Sequence, residues 1–411
     1  MMKRKKYRIL VVLLALCITF ASCASVQPFT EPTQSAEEVV SADTAAPTAE
    51  SMETEPTEPS TAEDPAEKRA GELLAGMSTY EKFCQLLFVT PESLSGAETA
   101  TIAGDMTREG LEKYPVGGII YFGKNVVSAE QITAMIAATQ EMTKIPLFFG
   151  VDEEGGRVSR LSGVGLTQKL SPMADYGAAG DRQAVYDIHL QLGSDIRTAG
   201  FNVDFAPVAD VVTNPDNTVI GDRAFSSSAS IASVMVASAV HGLEDGGVIS
   251  CLKHFPGHGS TSADSHLGMS VTNRTLEQLT DEEWLPFKAG IEAGAGMVMV
   301  AHISAPEITG DNTPCDLSPR IVNELLRGQL GFDGVVITDA QNMGAITDYY
   351  SVGEAAVLAI EAGCDIVLMP GDLQEALDAL QEAADSGRLS MQRIDESVLR
   401  ILRLKIKYGI I

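Results

Sequence analysis

Residues 117–152 read GGIIYFGKNVVSAEQITAMIAATQEMTKIPLFFGVD and contain one complete unit of the predicted fold. The apolar runs 117–122 and 147–152 have the composition of buried strands, and Ser128 opens the helical stretch 129–143 between them. Strands that are apolar throughout and are separated by helices are typical of a parallel sheet covered on its faces. The stretch therefore predicts a strand, a helix and a second parallel strand.

The same alternation continues along the chain. It predicts further strands at 85–90, 201–206, 248–254, 297–303, 334–339 and 365–370, and further helices at 181–199, 229–244, 281–293, 319–330, 353–362 and 372–384. Eight such units fit a closed (β/α)8 barrel of the TIM type better than an open doubly wound sheet, which stays the alternative. Because the chain exceeds the roughly 250 residues of a typical barrel, we expect long loops after the fourth and fifth strands and terminal helices. Neither GxGxxG after the first strand nor a P-loop is found, so nucleotide binding is not indicated.

Composition sets outer limits on the function. The 411 residues carry 29 basic and 56 acidic side chains, a net charge of −27, which argues against a nucleic-acid partner held by phosphate contacts. The six cysteines lack the paired spacing of a zinc or redox site and are too few for a disulfide framework. We therefore expect no structural zinc, and we expect Cys251 and Cys364 to be small buried side chains within apolar runs.

The first 67 residues differ in composition from the rest. Five basic residues within positions 1–8 precede an apolar run at 9–20 that is too short to span a bilayer, so residues 1–22 are predicted to be a secretory signal. The segment Phe20-Ala21-Ser22-Cys23 looks like a lipoprotein cleavage box, which predicts acylation of Cys23; simple secretion is the alternative. Residues 23–67 are acidic and rich in Thr, Pro and Glu, and they are predicted to be a disordered tether to a single catalytic domain at 68–411.

Ionisable side chains stand at the ends of four predicted strands. These are Asp152, the pair Lys253-His254, His302 and Asp339. Active sites of barrel enzymes are built at the C-terminal ends of the strands, so these residues are candidates for one site. A strand-end carboxylate is often only a helix cap, and His302 is either a core histidine or a member of the site.

Four of the six histidines lie within residues 254–302, and three of them lie within residues 254–266. The run from Lys253 to His266 leaves the fifth strand and enters a loop rich in Gly and Ser. Asp264 and His266 are two residues apart, so the carboxylate can orient the imidazole and raise its pKa. This is the pattern of a proton-transfer pair.

At these motifs the sequence resembles glycoside hydrolase family 3, in its β-N-acetylhexosaminidase branch. The matching segments cover roughly residues 70–405 in the same order; they are KHFPGHG from Lys253, the Asp264-Ser265-His266 end of its loop, and the segments 152–160, 204–210, 220–225 and 334–339. The additional αβα sandwich of longer relatives is not expected here.

The resemblance implies a role for each matching residue. Asp339 matches the nucleophile, His266 the acid/base and Asp264 its dyad partner. The residues matching those that hold the terminal N-acetylglucosamine are Asp152, Arg160, Arg223, Lys253 and His254. Many members carry a second acidic residue directly after the nucleophile, whereas Ala340 stands there in this chain, which changes the potential around Asp339.

These roles suit the chemistry of a retaining glycosidase, which needs a carboxylate on one face of the sugar ring and a proton donor on the other. An imidazole serves as both acid and base near neutral pH without a raised carboxyl pKa. The sequence is therefore interpreted as an exported, lipid-anchored, monomeric exo-β-N-acetylglucosaminidase at the outer face of the cytoplasmic membrane. It is expected to act on muropeptides or related glycans without a metal or organic cofactor.

Three alternatives stay open. A neutral acid/base does not repel phosphate, so phosphate can approach the glycosyl-enzyme and accept the sugar. The same site is therefore also compatible with a phosphorylase. A metal-dependent barrel hydrolase also uses His, Lys and Asp at strand ends, but the first predicted strand lacks the histidines such enzymes commonly carry there. A surface lipoprotein that binds glycans without catalysis is the third.

Overall fold

The computed structural model describes residues 64–263 and 269–411. Its ten strands are β1 (Leu87–Val89), β2 (Gly118–Ile120), β3 (Phe148–Val151), β4 (Val203–Asp204), β5 (Ile249–Phe255), β6 (Ser262–Ala263), β7 (Ser270–Val271), β8 (Met297–Val300), β9 (Val335–Thr338) and β10 (Val367–Leu368). Strands β6 and β7 form a short antiparallel hairpin. The other eight are parallel, in the order β10-β1-β2-β3-β4-β5-β8-β9.

The two outer strands of this sheet meet and close it. A parallel bridge pairs Ile337 with Ile366, and the Thr338 amide donates to the Ile366 carbonyl at 3.0 Å. The sheet is therefore a (β/α)8 barrel, as predicted, and the alternative of an open sheet is wrong. All eight predicted strands are confirmed, because the β-branched and aromatic runs that mark them are buried on both faces.

Helices surround the barrel, and each of the seven predicted helical stretches is matched to within a few residues. They are α1 (Pro65–Ala75), α2 (Thr79–Gln85), α3 (Pro91–Ser95), α4 (Asp105–Lys113), α5 (Ala129–Glu141), α6 (Met173–Ala179), α7 (Arg182–Thr198), α8 (Ala229–Asp245), α9 (Leu276–Gln278), α10 (Trp284–Glu292), α11 (Pro306–Thr309), α12 (Gly344–Thr347), α13 (Val352–Ala362), α14 (Leu373–Asp385) and α15 (Met391–Lys407), with two further helical segments at Leu279–Glu283 and Arg320–Gln329. Helix α1 begins three residues inside the predicted tether. It begins there because Asp64 caps it by accepting from the Ala66 amide and Pro65 occupies the first helical position.

Glycines in two strands make room for aromatic side chains inside the barrel. A Cβ atom at Gly118 would lie 2.6 Å from the ring of Phe88, and one at Gly150 would lie 2.7 Å from the ring of Phe205. The rings of Phe88 and Phe205 pack edge to face with centroids 5.4 Å apart. Larger residues at the two glycines would displace these rings, so we infer that this packing fixes the strand ends above it.

Long connections leave the C-terminal ends of the strands. Those after β4 and β5 were predicted, but the connection from β3 to α6 is equally irregular, apart from a short turn at Ser162–Val164. Gly155 and Gly156, near the start of this connection, have φ values of 92° and 54°, a backbone that favours glycine. Glu153 then holds it together by accepting from the Leu161 amide and the Thr167 hydroxyl at 2.9 and 2.8 Å.

Several predicted features lie outside the described residues. The predicted signal at 1–22, Cys23 and most of the tether belong to residues 1–63, and Asp264 and His266 belong to residues 264–268. Of the helices that are described, none has the length and apolar character needed to cross a membrane.

Candidate active site

A cleft of about 300 Å³ opens where the barrel strands end. Six residues predicted for the site line it together, from β5 and from the connections after β3, β4 and β9: Asp152, Arg160, Arg223, Lys253, His254 and Asp339. Apolar side chains including Phe122, Met299 and Met343 complete the wall. The barrel thus brings together residues up to 187 positions apart in the sequence, as expected for strand ends that converge at one rim.

One wall of the cleft is a compact network of charges. The Nζ atom of Lys253 lies 2.9 Å from Asp152 Oδ1 and 2.6 Å from Glu154 Oε1. Arg223 donates two parallel hydrogen bonds to Glu154, from Nε and Nη2, both at 2.8 Å. Two cations therefore share two carboxylates, and the polar ends of Lys253 and Arg223 are fixed at the cleft.

The charges in this network shift one another's pKa values. Burial alone would raise the pKa of Glu154, which is only 3% exposed, but the neighbouring Lys253 and Arg223 outweigh burial and lower the pKa to about 2. Burial alone would lower the pKa of Lys253, but Asp152 and Glu154 raise it above its ordinary value. Glu154 and Lys253 therefore both stay charged at neutral pH. Charged groups of this kind can bind a ligand that has several hydroxyl groups.

Arg160 approaches the same wall from the β3–α6 connection. Its Nη2 atom lies 3.7 Å from Asp152 Oδ2, and its guanidinium lies 6.0 Å from the centre of the Phe122 ring. Arg157 lies outside this group of side chains, since its Nη2 atom donates to the carbonyls of residues 218–220 at 2.8 to 3.0 Å. Arg157 thereby holds the segment that leads to Arg223.

A buried aspartate shapes the exit of β5. Asp210 accepts from the His254 ring at 2.8 Å and from the His254 and His258 amides at 3.2 and 2.6 Å. Burial alone would raise the pKa of Asp210, but His254 and these hydrogen bonds lower it. The His254 Nε2 atom then lies at the cleft, 3.4 Å from Arg223 Nη2. The carboxylate therefore fixes both the ring of His254 and the start of the loop that follows.

Asp339 directly follows β9 and lines the cleft. Its backbone amide donates to the Val300 carbonyl at 2.9 Å, and its Oδ1 atom accepts from the Ala340 amide at 2.7 Å. Burial alone would raise its pKa, but the neighbouring His302 and His254 lower it below its ordinary value. The carboxylate is therefore held in one orientation and ionised, as a nucleophile requires.

His302 lies beneath this turn, and the sequence left its role open. It is 4% exposed; its Nε2 atom is 2.9 Å from the Ala340 carbonyl, and its Nδ1 atom is 3.0 Å from Asp316 Oδ2. Burial alone would lower the pKa of His302, but Asp316 raises it to about 9. His302 is therefore a cation next to Asp339 and not an inert core side chain.

Sequence reasoning missed the partners that hold these side chains. Glu154 and Asp210 stand inside matching motifs but were given no role, and Asp316 was not singled out at all. A signal existed for the first two, because a charged residue beside an apolar strand is costly to bury without a partner. Their partners come from other βα connections, and only the closed barrel shows which cation each one meets.

Replacing Glu154 by Gln is expected to weaken both binding and folding. Gln removes the charge between Lys253 and Arg223 and leaves two buried cations short of an anion, so we expect a loss of about 2 to 4 kcal/mol in the free energy of unfolding and a severalfold rise in KM. The pKa of Glu154 in the folded protein is below its ordinary 4.5. The wild type is therefore more stable than the variant by the full difference in free energy of unfolding above pH 4.5, and this difference is lost as the pH falls toward 2. Denaturant unfolding at several pH values measures the difference.

Asp222→Asn is the matched control for that variant. Asp222, which lies between β4 and α8, pairs with Arg157 of the β3–α6 connection that also carries Glu154. Both side chains of this pair are about half exposed. An exposed pair of this kind contributes about 1 kcal/mol or less. Equal losses in the Asp222 and Glu154 variants would contradict the importance of the buried network.

The fold and the cleft are those of a (β/α)8 barrel with a charged site at its strand ends, and comparison with known proteins gives the family. Residues 78–404 match the model of the glycosyl hydrolase family 3 N terminal domain, and the chain belongs to that family. It is 34% identical over 325 residues to beta-hexosaminidase A of Pseudoalteromonas piscicida, covering 72% of this chain and 54% of that protein. It is 36% identical to beta-hexosaminidase LpqI of Mycobacterium tuberculosis, covering 80% of this chain and 83% of LpqI.

A solved structure agrees with these relatives. The glycoside hydrolase family 3 beta-N-acetylglucosaminidase from Paenibacillus sp. superposes with a TM-score of 0.76 at 38% identity, covering 82% of this chain and 63% of that one. This chain thus spans a little over half of the Pseudoalteromonas protein and under two thirds of the Paenibacillus one. The region shared with both includes the barrel.

Proposed function

We propose that the protein is a retaining exo-β-N-acetylglucosaminidase. The observation that carries the proposal is the position of Asp339, which lines the same cleft as the five candidate sugar ligands. The names of the family 3 relatives support the same activity. A space of about 300 Å³ is at the lower end of the range for small-molecule sites, which suits one terminal sugar better than the interior of a chain.

In the first half of the reaction, Asp339 attacks the anomeric carbon of the terminal N-acetylglucosamine. The bond from that carbon to the leaving oxygen breaks, and His266 gives its proton to that oxygen. Asp152, Arg160, Arg223, Lys253 and His254 hold the hydroxyl groups of the sugar through charge-assisted hydrogen bonds. The product of this half is a covalent ester between the sugar and Asp339.

In the second half, water replaces Asp339. His266, oriented by Asp264, takes a proton from the water as its oxygen attacks the anomeric carbon, and the Asp339 carboxylate leaves with the electron pair of the ester bond. The charges at the end of the reaction equal those at the start. Free N-acetylglucosamine is released without a metal or cofactor.

The cellular setting of the proposal comes from the N-terminal sequence. A signal at 1–22, acylation of Cys23 and an acidic tether at 23–67 would place a monomeric catalytic domain at the outer face of the cytoplasmic membrane. The substrates proposed for this setting are cell-wall muropeptides or related glycans. Simple secretion is the alternative for export.

Assay of an aryl N-acetyl-β-glucosaminide with and without phosphate tests the activity. We expect free N-acetylglucosamine with retained configuration in both cases, and the same rate. Formation of N-acetylglucosamine 1-phosphate would identify a phosphorylase. Binding of the sugar without turnover would identify a glycan-binding lipoprotein, and loss of activity in a chelator would identify a metal-dependent hydrolase.

A further inference from the structure

A second buried acid, Asp316, lies behind the nucleophile and has no place in the reaction described so far. It stands in the turn Cys315–Leu317 and has no exposed surface. Among the described residues, neither of its carboxylate oxygens has a well-aligned hydrogen bond. Its one close cationic contact is His302 Nδ1 at 3.0 Å, which is an ion pair at hydrogen-bond distance with poor alignment. A buried carboxylate without hydrogen bonds is costly, so a neighbouring cation is needed to stabilise it.

The other side of the His302 ring faces the turn that carries the nucleophile. Its Nε2 atom donates to the carbonyl of Ala340, whose amide in turn donates to Asp339 Oδ1. Both ring nitrogens therefore face acceptors, and only the doubly protonated ring can donate to both. Asp316, His302 and Asp339 thus form a line of alternating negative, positive and negative charge.

We propose that Asp316 and His302 form a supporting ion pair that helps Asp339 to leave in the second half of the reaction. The inference rests on the proposed function. In the first half Asp339 gives up its charge to form the ester, so a cation beside it does not assist. In the second half the negative charge returns to the Asp339 carboxylate. The fixed imidazolium of His302 stabilises this charge as it develops.

The groups around His302 agree with a fixed positive charge at this place. Burial would lower its pKa, and the two acids Asp316 and Asp339 raise it. The described ionisable side chains that interact with this pair or with Asp339 are Cys251, Lys253 and His254 of β5, His258 after β5, Tyr350 after α12, and Cys315 and Cys364 beside Asp316. His302 is the cation with the largest effect on Asp339. It does not line the cleft, so it is a positioning residue.

Asp316→Asn tests the pair, because it removes the charge and keeps the shape. Loss of the Asp316 charge is expected to lower the pKa of His302 and so to reduce its positive charge at pH 7.5, while Nε2 still donates to Ala340. With a dinitrophenyl N-acetylglucosaminide, whose good leaving group makes ester hydrolysis the slower half, we expect kcat to fall about tenfold. We expect kcat/KM, which reports the first half, to change less than about twofold, so KM falls with kcat. The initial burst of dinitrophenolate should persist.

A purely structural role for Asp316 would lower kcat and kcat/KM together, and that result would overturn the proposal. The matched control is Asp311→Asn, an exposed acid of the same connection, which should change neither parameter. Absence of any turnover by the wild type would instead overturn the proposed function and leave the charge pair to be tested separately.

Nitrogen-15 NMR of the histidine rings in the wild type gives that separate test, and it needs no variant of Asp316 to fold. We expect the His302 ring, assigned by comparison with His302→Gln, to carry a proton on both nitrogens at pH 7.5 and to titrate near pH 9. A neutral His302 ring at pH 7.5 would overturn the proposal. In Asp316→Asn the same signal should titrate at a lower pH than in the wild type, because the negative charge of Asp316 is lost and burial remains.

Discussion

Asp339→Ala is expected to lower turnover of every N-acetylglucosaminide by at least about a thousandfold while leaving the fold intact. The variant has no carboxylate to attack the anomeric carbon, so no glycosyl-enzyme forms. The loss should not depend on the leaving group, because the missing bond is the same for all substrates. Steady-state assays with a good and a poor leaving group measure this.

Asp348→Ala is the control for the nucleophile variant. Asp348 follows the same strand and is exposed, and it does not line the cleft. We expect its activity to stay within about twofold of wild type, as is usual for surface changes. Substantial turnover by Asp339→Ala would contradict the assignment of the nucleophile.

His266→Ala is expected to show the opposite dependence on the leaving group. For substrates whose leaving oxygen must be protonated, kcat/KM should fall by about a hundredfold or more. For a dinitrophenyl leaving group, which departs as an anion, kcat/KM should change only severalfold. The ester then accumulates because no base activates water, and added azide should restore turnover by replacing water. A plot of log kcat/KM against leaving-group pKa measures the contrast.

His241→Ala is the matched control, since His241 is an exposed histidine on α8. It should leave both classes of substrate unaffected. Equal losses for both leaving groups in His266→Ala would show that His266 is not the acid, and the proton donor would then have to be sought elsewhere at the cleft.

The barrel could be predicted from the sequence because its strands are apolar on both faces and its helices have clear N-terminal signals. The run GVVITD at 334–339, for example, predicted both β9 and the place of Asp339 at its end. The close fit of Phe88 against Gly118 could not be predicted, because it depends on which strands are neighbours.

The candidate site was predicted less completely than the fold. The strand ends identified Asp152, Lys253 and His254, because a charge after a buried strand needs an explanation. The partners of these residues depend on pairings across the barrel. Asp316, for example, lies in a turn whose sequence has no feature that indicates a contact with His302.

Covalent trapping tests the central claim most directly. A 5-fluoro N-acetylglucosaminyl fluoride slows hydrolysis of the ester, so the glycosyl-enzyme can be digested and the labelled peptide sequenced by mass spectrometry. We predict one sugar per protein, attached to Asp339. A label on any other side chain, or turnover of the reagent through an intermediate that is never bound to the protein, would contradict a mechanism in which this carboxylate is the nucleophile.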